Sequence, residues 1–238
     1  MNIIGIIPAR GGSIGISKKN LQKIGDKTLL DMAIFGAIES AIFDRIIVSS
    51  DDDALLHIAR QYPEVEVLFK RPQALSGGDV PTADVVLHLL NWLKMHENYV
   101  ADSLMLLEPT CPFRTPQELR GAYKIFCDRA ADSLISVSPP LQHPCDMIYK
   151  NDEQKFQSCL VKKITATGRQ GYDEAWFING AIFMTAVPYF LRNKKFYDLS
   201  SCIIYKMTEL SGIDIDTPFD LEMARACYQY FGGTRIIC

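Results

Sequence analysis

The segment Ile3-Ile4-Gly5-Ile6-Ile7, running into Pro8-Ala9-Arg10-Gly11-Gly12-Ser13-Ile14-Gly15-Ile16-Ser17-Lys18-Lys19-Asn20, decides how the rest of the chain is read. A continuous run without polar side chains suits a strand covered on both faces, as in a parallel sheet. The glycines at 11, 12 and 15 let the loop backbone approach a ligand closely. Free N–H groups in such a loop form a concavity for phosphate oxygens. Arg10, Lys18 and Lys19 add donors, each worth about 1.5–3 kcal/mol when a charged hydrogen bond is well formed. The alternative is a flexible turn with solvated lysines. The loop matches neither G-x-x-x-x-G-K-[ST] nor G-x-G-x-x-G, which disfavours a P-loop nucleotide hydrolase and a dinucleotide enzyme.

Outward from this segment, short apolar runs alternate with helix-period stretches. Strands are expected at Ile3–Ile7, Arg45–Ser49, Val65–Phe69, Ser103–Leu107, Ser133–Val137, Ile178–Met184, Cys202–Met207 and Gly212–Ile215. Helices are expected at Leu29–Ser40, Asp53–Tyr62, Thr82–Met95, Pro116–Asp128 and Pro218–Phe231. Val85, Val86, Leu89, Leu90 and Leu93 show the helical logic, falling on one apolar face. The alternation predicts an α/β fold, a mostly parallel sheet with helices on both faces and ligands bound beyond the carboxyl ends of its strands. It breaks between about 139 and 176, a polar stretch with Pro139-Pro140 and His143-Pro144. That stretch reads as an inserted arm on a single domain spanning 1–238.

Composition bounds the function. The 238 residues carry 25 Lys plus Arg against 28 Asp plus Glu, a net charge of −3, so nucleic acid is not the expected partner. Residues 1–27 nevertheless hold five bases and the single acid Asp26, a local charge of +4. No apolar run approaches the ~18 residues of a membrane span, and the N-terminus lacks the basic region of a signal peptide. Seven cysteines without C-x-x-C spacing point to reduced thiols and a cytoplasmic setting.

Asp214-Ile215-Asp216 has its own reading. On a strand, residues i and i+2 share a face about 6.7 Å apart, so both carboxylates can converge on Mg²⁺, a cation that takes oxygen ligands. Thr217-Pro218 then supplies an N-cap and first helical residue, and Asp216 assisting that helix start is the alternative. Taken alone, Arg71 reads as a surface cation, Asp79 as a turn acid and Arg169 as a solvated charge.

The first loop resembles the signature of the CMP-sialic acid synthetases, the N-acylneuraminate cytidylyltransferases. The resemblance continues in order through Asp44-Arg45-Ile46-Ile47-Val48-Ser49-Ser50-Asp51, Arg71-Pro72 with Asp79, and Leu107-Glu108-Pro109-Thr110-Cys111-Pro112-Phe113-Arg114-Thr115. It ends with Asn179-Gly180-Ala181-Ile182-Phe183 and Ile213-Asp214-Ile215-Asp216-Thr217. It implies a Rossmann-like nucleotidyltransferase that joins CTP to a sialic-type nonulosonic acid, releasing diphosphate as the anomeric C2 hydroxyl attacks the α-phosphate.

On that reading Ala9, Arg10, Gly11, Gly12, Ser13, Lys19 and Asn20 hold the nucleotide, with Arg71 and Asp79 at the cytidine. Glu108, Arg169 and Asn179 face the sugar, and Asp214 and Asp216 bind Mg²⁺ (or Mn²⁺). Arg10, Lys19 and Asp216 are the catalytic candidates. The resemblance also implies a homodimer in which the arm crosses to the neighbouring site. Two departures stand out: Ile14 where the family commonly has lysine, and Asp146 where several sialate members have lysine after the His-Pro pair. The first leaves a non-catalytic CTP-binding homologue as an alternative. The second leaves the sugar open between neuraminate, legionaminate, pseudaminate and another 3-deoxy keto acid.

Overall fold

The computed structural model describes residues 1–13, 15–159 and 172–233. Among these, seven strands form one sheet: β1 (Ile3–Pro8), β2 (Arg45–Ser49), β3 (Val65–Glu66), β4 (Ser103–Leu106), β5 (Ser133–Ser138), β6 (Phe177–Ala186) and β7 (Ile203–Lys206). Their spatial order is β7-β5-β6-β4-β1-β2-β3. The helices are α1 (Leu29–Ser40), α2 (Asp53–Ala59), α3 (Thr82–Glu97), α4 (Pro116–Asp128), α5 (Val187–Asn193) and α6 (Pro218–Tyr230). The α/β class and the largely parallel sheet agree with the sequence reading.

The apolar run of β1 divides between the two faces, as a pleat requires. Ile3 and Ile7 enter a core with Leu30, Ala33 and Ile34 of α1, Leu55 of α2, and Leu119 and Phe126 of α4. Ile4 and Ile6 enter the opposite core with Val86, Leu89 and Leu93 of α3 and Phe190 of α5. A third cluster joins Leu29 and Met32 of α1 to Phe113, Ile215 and Leu221, so α6 is fastened beside the first loop.

Local chemistry fixes where the helices begin. Thr28 with Asp31, Thr115 with Glu118, and Thr217 with Asp220 each form a capping box before α1, α4 and α6. Pro116 and Pro218 occupy first-turn positions where a missing N–H costs nothing. Asp52 caps α2, accepting from the N–H groups of Ala54 and Leu55.

Several expectations change. β6 runs antiparallel to both β4 and β5, and its register shifts between Ile178 and Phe183, around Asn179-Gly180-Ala181. Gly180 sits there at φ +73°, a left-handed conformation that favours glycine. Gly212–Ile215 is not a strand. Gly212 N–H donates to Thr208 O and Ile213 N–H to Leu210 O, so the chain turns, then crosses the strand ends with Ile215 N–H on Thr110 O at 2.9 Å. The third strand stops at Glu66 rather than Phe69, and α2 stops at Ala59 rather than Tyr62. Helix α5 and the small ribbon of Lys23–Ile24 with Lys27–Thr28 were not anticipated. Within the arm, Ile148–Lys150 pairs antiparallel with Phe156–Ser158, apart from the main sheet.

Candidate active site

The carboxyl ends of β1, β2 and β4 lie side by side, and three segments converge over them. Ala9 N–H continues the β1–β2 ladder onto Ser49 O at 2.9 Å, and Leu107 N–H continues β4 onto Ile6 O. Past those bonds the chains diverge and leave a cavity of ≈ 300 Å³. Arg10, Ser13, Lys19 and Asn20 line it from the first loop, Glu108 and Thr110 from the β4–α4 loop, and Asp214 and Asp216 from the crossing segment. Arg71, Leu75, Gly77, Gly78, Val80, Thr82 and Val85 close the far side.

Hydrogen bonds hold the first loop in shape. Asn20, almost fully buried, donates to Arg10 O at 3.0 Å. Gly11 N–H donates to Asp51 Oδ1 at 3.0 Å, tying the loop to the end of β2. Lys19 Nζ donates to Ile215 O and to Asp216 Oδ1, both at 2.9 Å. A Cβ on Gly15 would lie 2.3 Å from Asp216 O, so the glycine allows direct contact between two segments 200 residues apart.

Arg71 is buried and forks onto Ser49, donating from Nε to Oγ at 3.1 Å and from the terminal nitrogen to the carbonyl at 2.5 Å. Burial pushes its pKa down from the ordinary guanidinium value; Asp51 opposes that shift and Arg10 adds to it. Glu108 is the more perturbed acid. Burial, and next the charge of Asp214, raise its carboxyl to about 7. Asp214 is also raised, first by burial, while Thr110 stabilises its charge. The Cys111 thiol lies beneath both acids, donating to Asn179 O at 3.2 Å, and burial raises its pKa.

Glu108 and Asp214 face each other across Gly180, since a Cβ there would lie 3.8 Å from Glu108 Oε2 and 4.0 Å from Asp214 Oδ2. The site therefore sets a cationic rim, Arg10 and Lys19, beside carboxylates that lose stability by being charged and dry. A cation against Asp214 and Asp216 would relieve that cost, and the rim is left to pair with an anion.

Sequence comparison identifies the chain. The family described as Cytidylyltransferase matches residues 4–112. CMP-N,N'-diacetyllegionaminic acid synthase of Legionella pneumophila is 30% identical over 225 residues, covering 92% of this chain and 93% of that protein. The chain belongs to the cytidylyltransferase family of CMP-sialic acid synthetases. N-acylneuraminate cytidylyltransferase of Escherichia coli is also 30% identical, over 93% of this chain but 51% of that protein, so the chain spans about half its length. A CMP:2-keto-3-deoxy-manno-octonic acid synthetase structure shares the fold, with TM-score 0.70 at 14% identity, over 97% of this chain and all of the other.

Within this family member, the cavity brings together Arg10, Ser13, Lys19, Asn20, Arg71, Glu108, Asp214 and Asp216. Other candidates fall elsewhere. Ala9 is fully buried below the cavity, and Gly11 is spent on Asp51. Gly12 faces open space. Asp79 is exposed beyond Gly78 and does not line the cavity. Asn179 is fully buried; its Oδ1 accepts from Ser136 Oγ at 2.6 Å and from Ala181 N–H, which holds the irregular turn of β6. Arg114 is buried, and its Nη1 donates to the carbonyls of Glu108 and Ala181 at 2.9 and 3.0 Å. Ile14 and Arg169 lie outside the described residues.

Sequence reasoning missed Asp51, Thr110 and the Leu75–Val85 wall. Asp51 ends the Val48-Ser49-Ser50-Asp51 run, and an acid just past a strand end opposite a glycine loop was the available signal. Among the described residues no group of three or more His, Cys, Asp or Glu is placed to hold a metal. No described helix is long and apolar enough to cross a membrane.

Proposed function

We propose that the protein transfers the cytidylyl group of CTP to the anomeric C2 hydroxyl of a nonulosonic acid, releasing pyrophosphate. The observation that carries this reading is a pair of adjoining cavities. The first has the cationic rim, and a second, of ≈ 360 Å³, shares Asp214 and Asp216 with it. A nucleotide in one and a sugar in the other would meet above those two carboxylates.

Arg10, Ser13 and Lys19 would receive the phosphates, with Lys19 already oriented by Ile215 O and Asp216. The Leu75–Val85 wall would cover the base and ribose. The new O–P bond forms in line as the bond from the α-phosphorus to the bridging oxygen breaks, pyrophosphate carries that bond's electron pair away, and the hydroxyl proton passes to water. Catalysis of this type is chiefly positioning and charge stabilisation, so rigidity of the loop against the Asp214–Asp216 segment is the main contribution. The donor chemistry fits Mg²⁺ or Mn²⁺: Asp214 and Asp216 are hard oxygen ligands, and triphosphate and water oxygens would complete the shell. Such an ion would neutralise triphosphate charge. Glu108, which lines the first cavity across Gly180 from Asp214, would meet the sugar where the two cavities join.

The arm exposes Ile148, Tyr149 and Phe156 on its ribbon, which supports a homodimer formed through residues 139–176. The test of function is CTP-dependent pyrophosphate release with N-acetylneuraminate and with a diacylated analogue, at millimolar Mg²⁺. Release is expected. Its absence with every nonulosonic acid tried would refute the reading.

A further inference from the structure

The second cavity is chemically unlike the first. Leu141, Met147, Phe177, Ile213 and Met223 form its wall. Leu141 is 74%, Met147 41% and Phe177 50% exposed, so apolar side chains of the arm and of β6 gather around one hollow without being covered. Among the described residues no lysine, arginine or histidine lines it; its charged members are carboxylates. Asp220 is engaged at the start of α6, where its Oδ2 accepts from Thr217 N–H and Oγ1. Glu209 is exposed and makes no hydrogen bond among the described residues, which leaves it an open acceptor. The volume lies within the range of small-molecule sites.

We propose that this cavity selects nonulosonic acids whose outer carbons carry two acylamido groups and end in a methyl, over acids ending in a polyhydroxylated chain. The inference rests on the cytidylyl-transfer reading. An acceptor whose hydroxyl reaches the α-phosphate above Asp214 and Asp216 must lay the rest of its body in the adjoining hollow. A hydroxyl set against Met223, Phe177 or Leu141 gives up its water and gains no partner. An acyl or terminal methyl against the same wall removes apolar surface from water. Glu209 accepts from an amide N–H. The continuity of the two cavities argues for a small acceptor rather than a protein segment as the occupant.

The experiment compares kcat/KM for N-acetylneuraminate and N,N'-diacetyllegionaminate at saturating CTP and Mg²⁺. The diacylated, methyl-terminated acid is expected to be preferred by roughly 10–100-fold, the range an apolar pocket achieves. Met223→Gln, which conserves volume, and Leu141→Gln should each reduce that ratio several-fold while leaving the KM for CTP unchanged. Equal use of the two acids, or preference for neuraminate, would overturn the inference and leave the transfer reading standing. A preference that both variants leave intact would also overturn it. So would variants that change the oligomeric state and not the ratio, since the wall would then belong to a second copy. No turnover with any nonulosonic acid would bring down the transfer reading, and this inference with it.

Discussion

Gly15→Ala tests the contact on which the active site depends. The added methyl carbon would lie 2.3 Å from the carbonyl oxygen of Asp216, where ordinary contact begins at 3.4 Å. The obstacle is backbone, so no side chain can swing aside. Ile215 N–H is bonded to Thr110 O and Ile215 O to Lys19, which holds the segment from both sides. Relief requires the loop and the acidic segment to separate by about 1 Å, a misplacement that can cost on the order of 100-fold in rate. Overpacking of this kind costs about 1–3 kcal/mol of stability, or roughly 2–12 °C in Tm for a chain of this size.

Steady-state pyrophosphate release would give kcat/KM for CTP, and a thermal melt would give Tm. Gly12→Ala is the stability control, because a Cβ there meets nothing within 4 Å, and its Tm should be unchanged. A Gly15→Ala protein with wild-type kcat/KM and Tm would refute the packing of the first loop against Asp216.

Glu108 makes stability depend on pH. Its folded pKa of about 7 exceeds the ordinary glutamate value of 4.5, so between those values the folded state binds more protons than the unfolded one and stability falls as pH rises. Glu108→Gln should therefore stabilise the metal-free protein at pH 8 by about 1–3 kcal/mol and change little at pH 4.5; urea melts at both pH values check this, and equal effects would refute it. Arg71→Lys should weaken the closure of the cavity, since an ammonium cannot reproduce the planar fork on Ser49. The expected loss is about 1.5–3 kcal/mol by chemical denaturation, with a raised KM for CTP; unchanged values of both would count against the fork. Light scattering should show a dimer, and deletion of residues 147–158 should give a monomer; an intact dimer after deletion would place the interface elsewhere.

Particular residues show how far the sequence could be read. Thr28, Thr115 and Thr217 with their acids three residues on mark helix starts almost to the residue, because a capping box is local chemistry. Asp214 and Asp216 were read as neighbours on a strand; they do line one cavity, but on an extended crossing segment. The alternation survives without a ladder because Ile215 is buried beneath α6 and the turn after Leu210 carries the chain away from the sheet edge. For Asn179 the resemblance implies a sugar-facing amide, and its partners Ser136 and Ala181 add a role that the sequence does not show, securing the turn of β6. Arg114 is legible in the sequence only as a charged residue, and the structure buries it with Nη1 on the carbonyls of Glu108 and Ala181.

By itself the sequence determined the α/β class, the glycine-rich basic loop after the first strand and the two acidic positions near the far end of the chain. Those follow from hydrophobic period, glycine placement and charge, all of which act over a few residues. The tertiary structure decided that β6 runs antiparallel, that Lys19 meets Asp216, and that Glu108 sits with Asp214 in a partly dry hollow. These depend on which segments cross at the strand ends, and burial and the charge of a distant neighbour are set by that crossing. A carboxyl pushed to about 7 is the effect of Asp214 and lost water, and neither is written near residue 108.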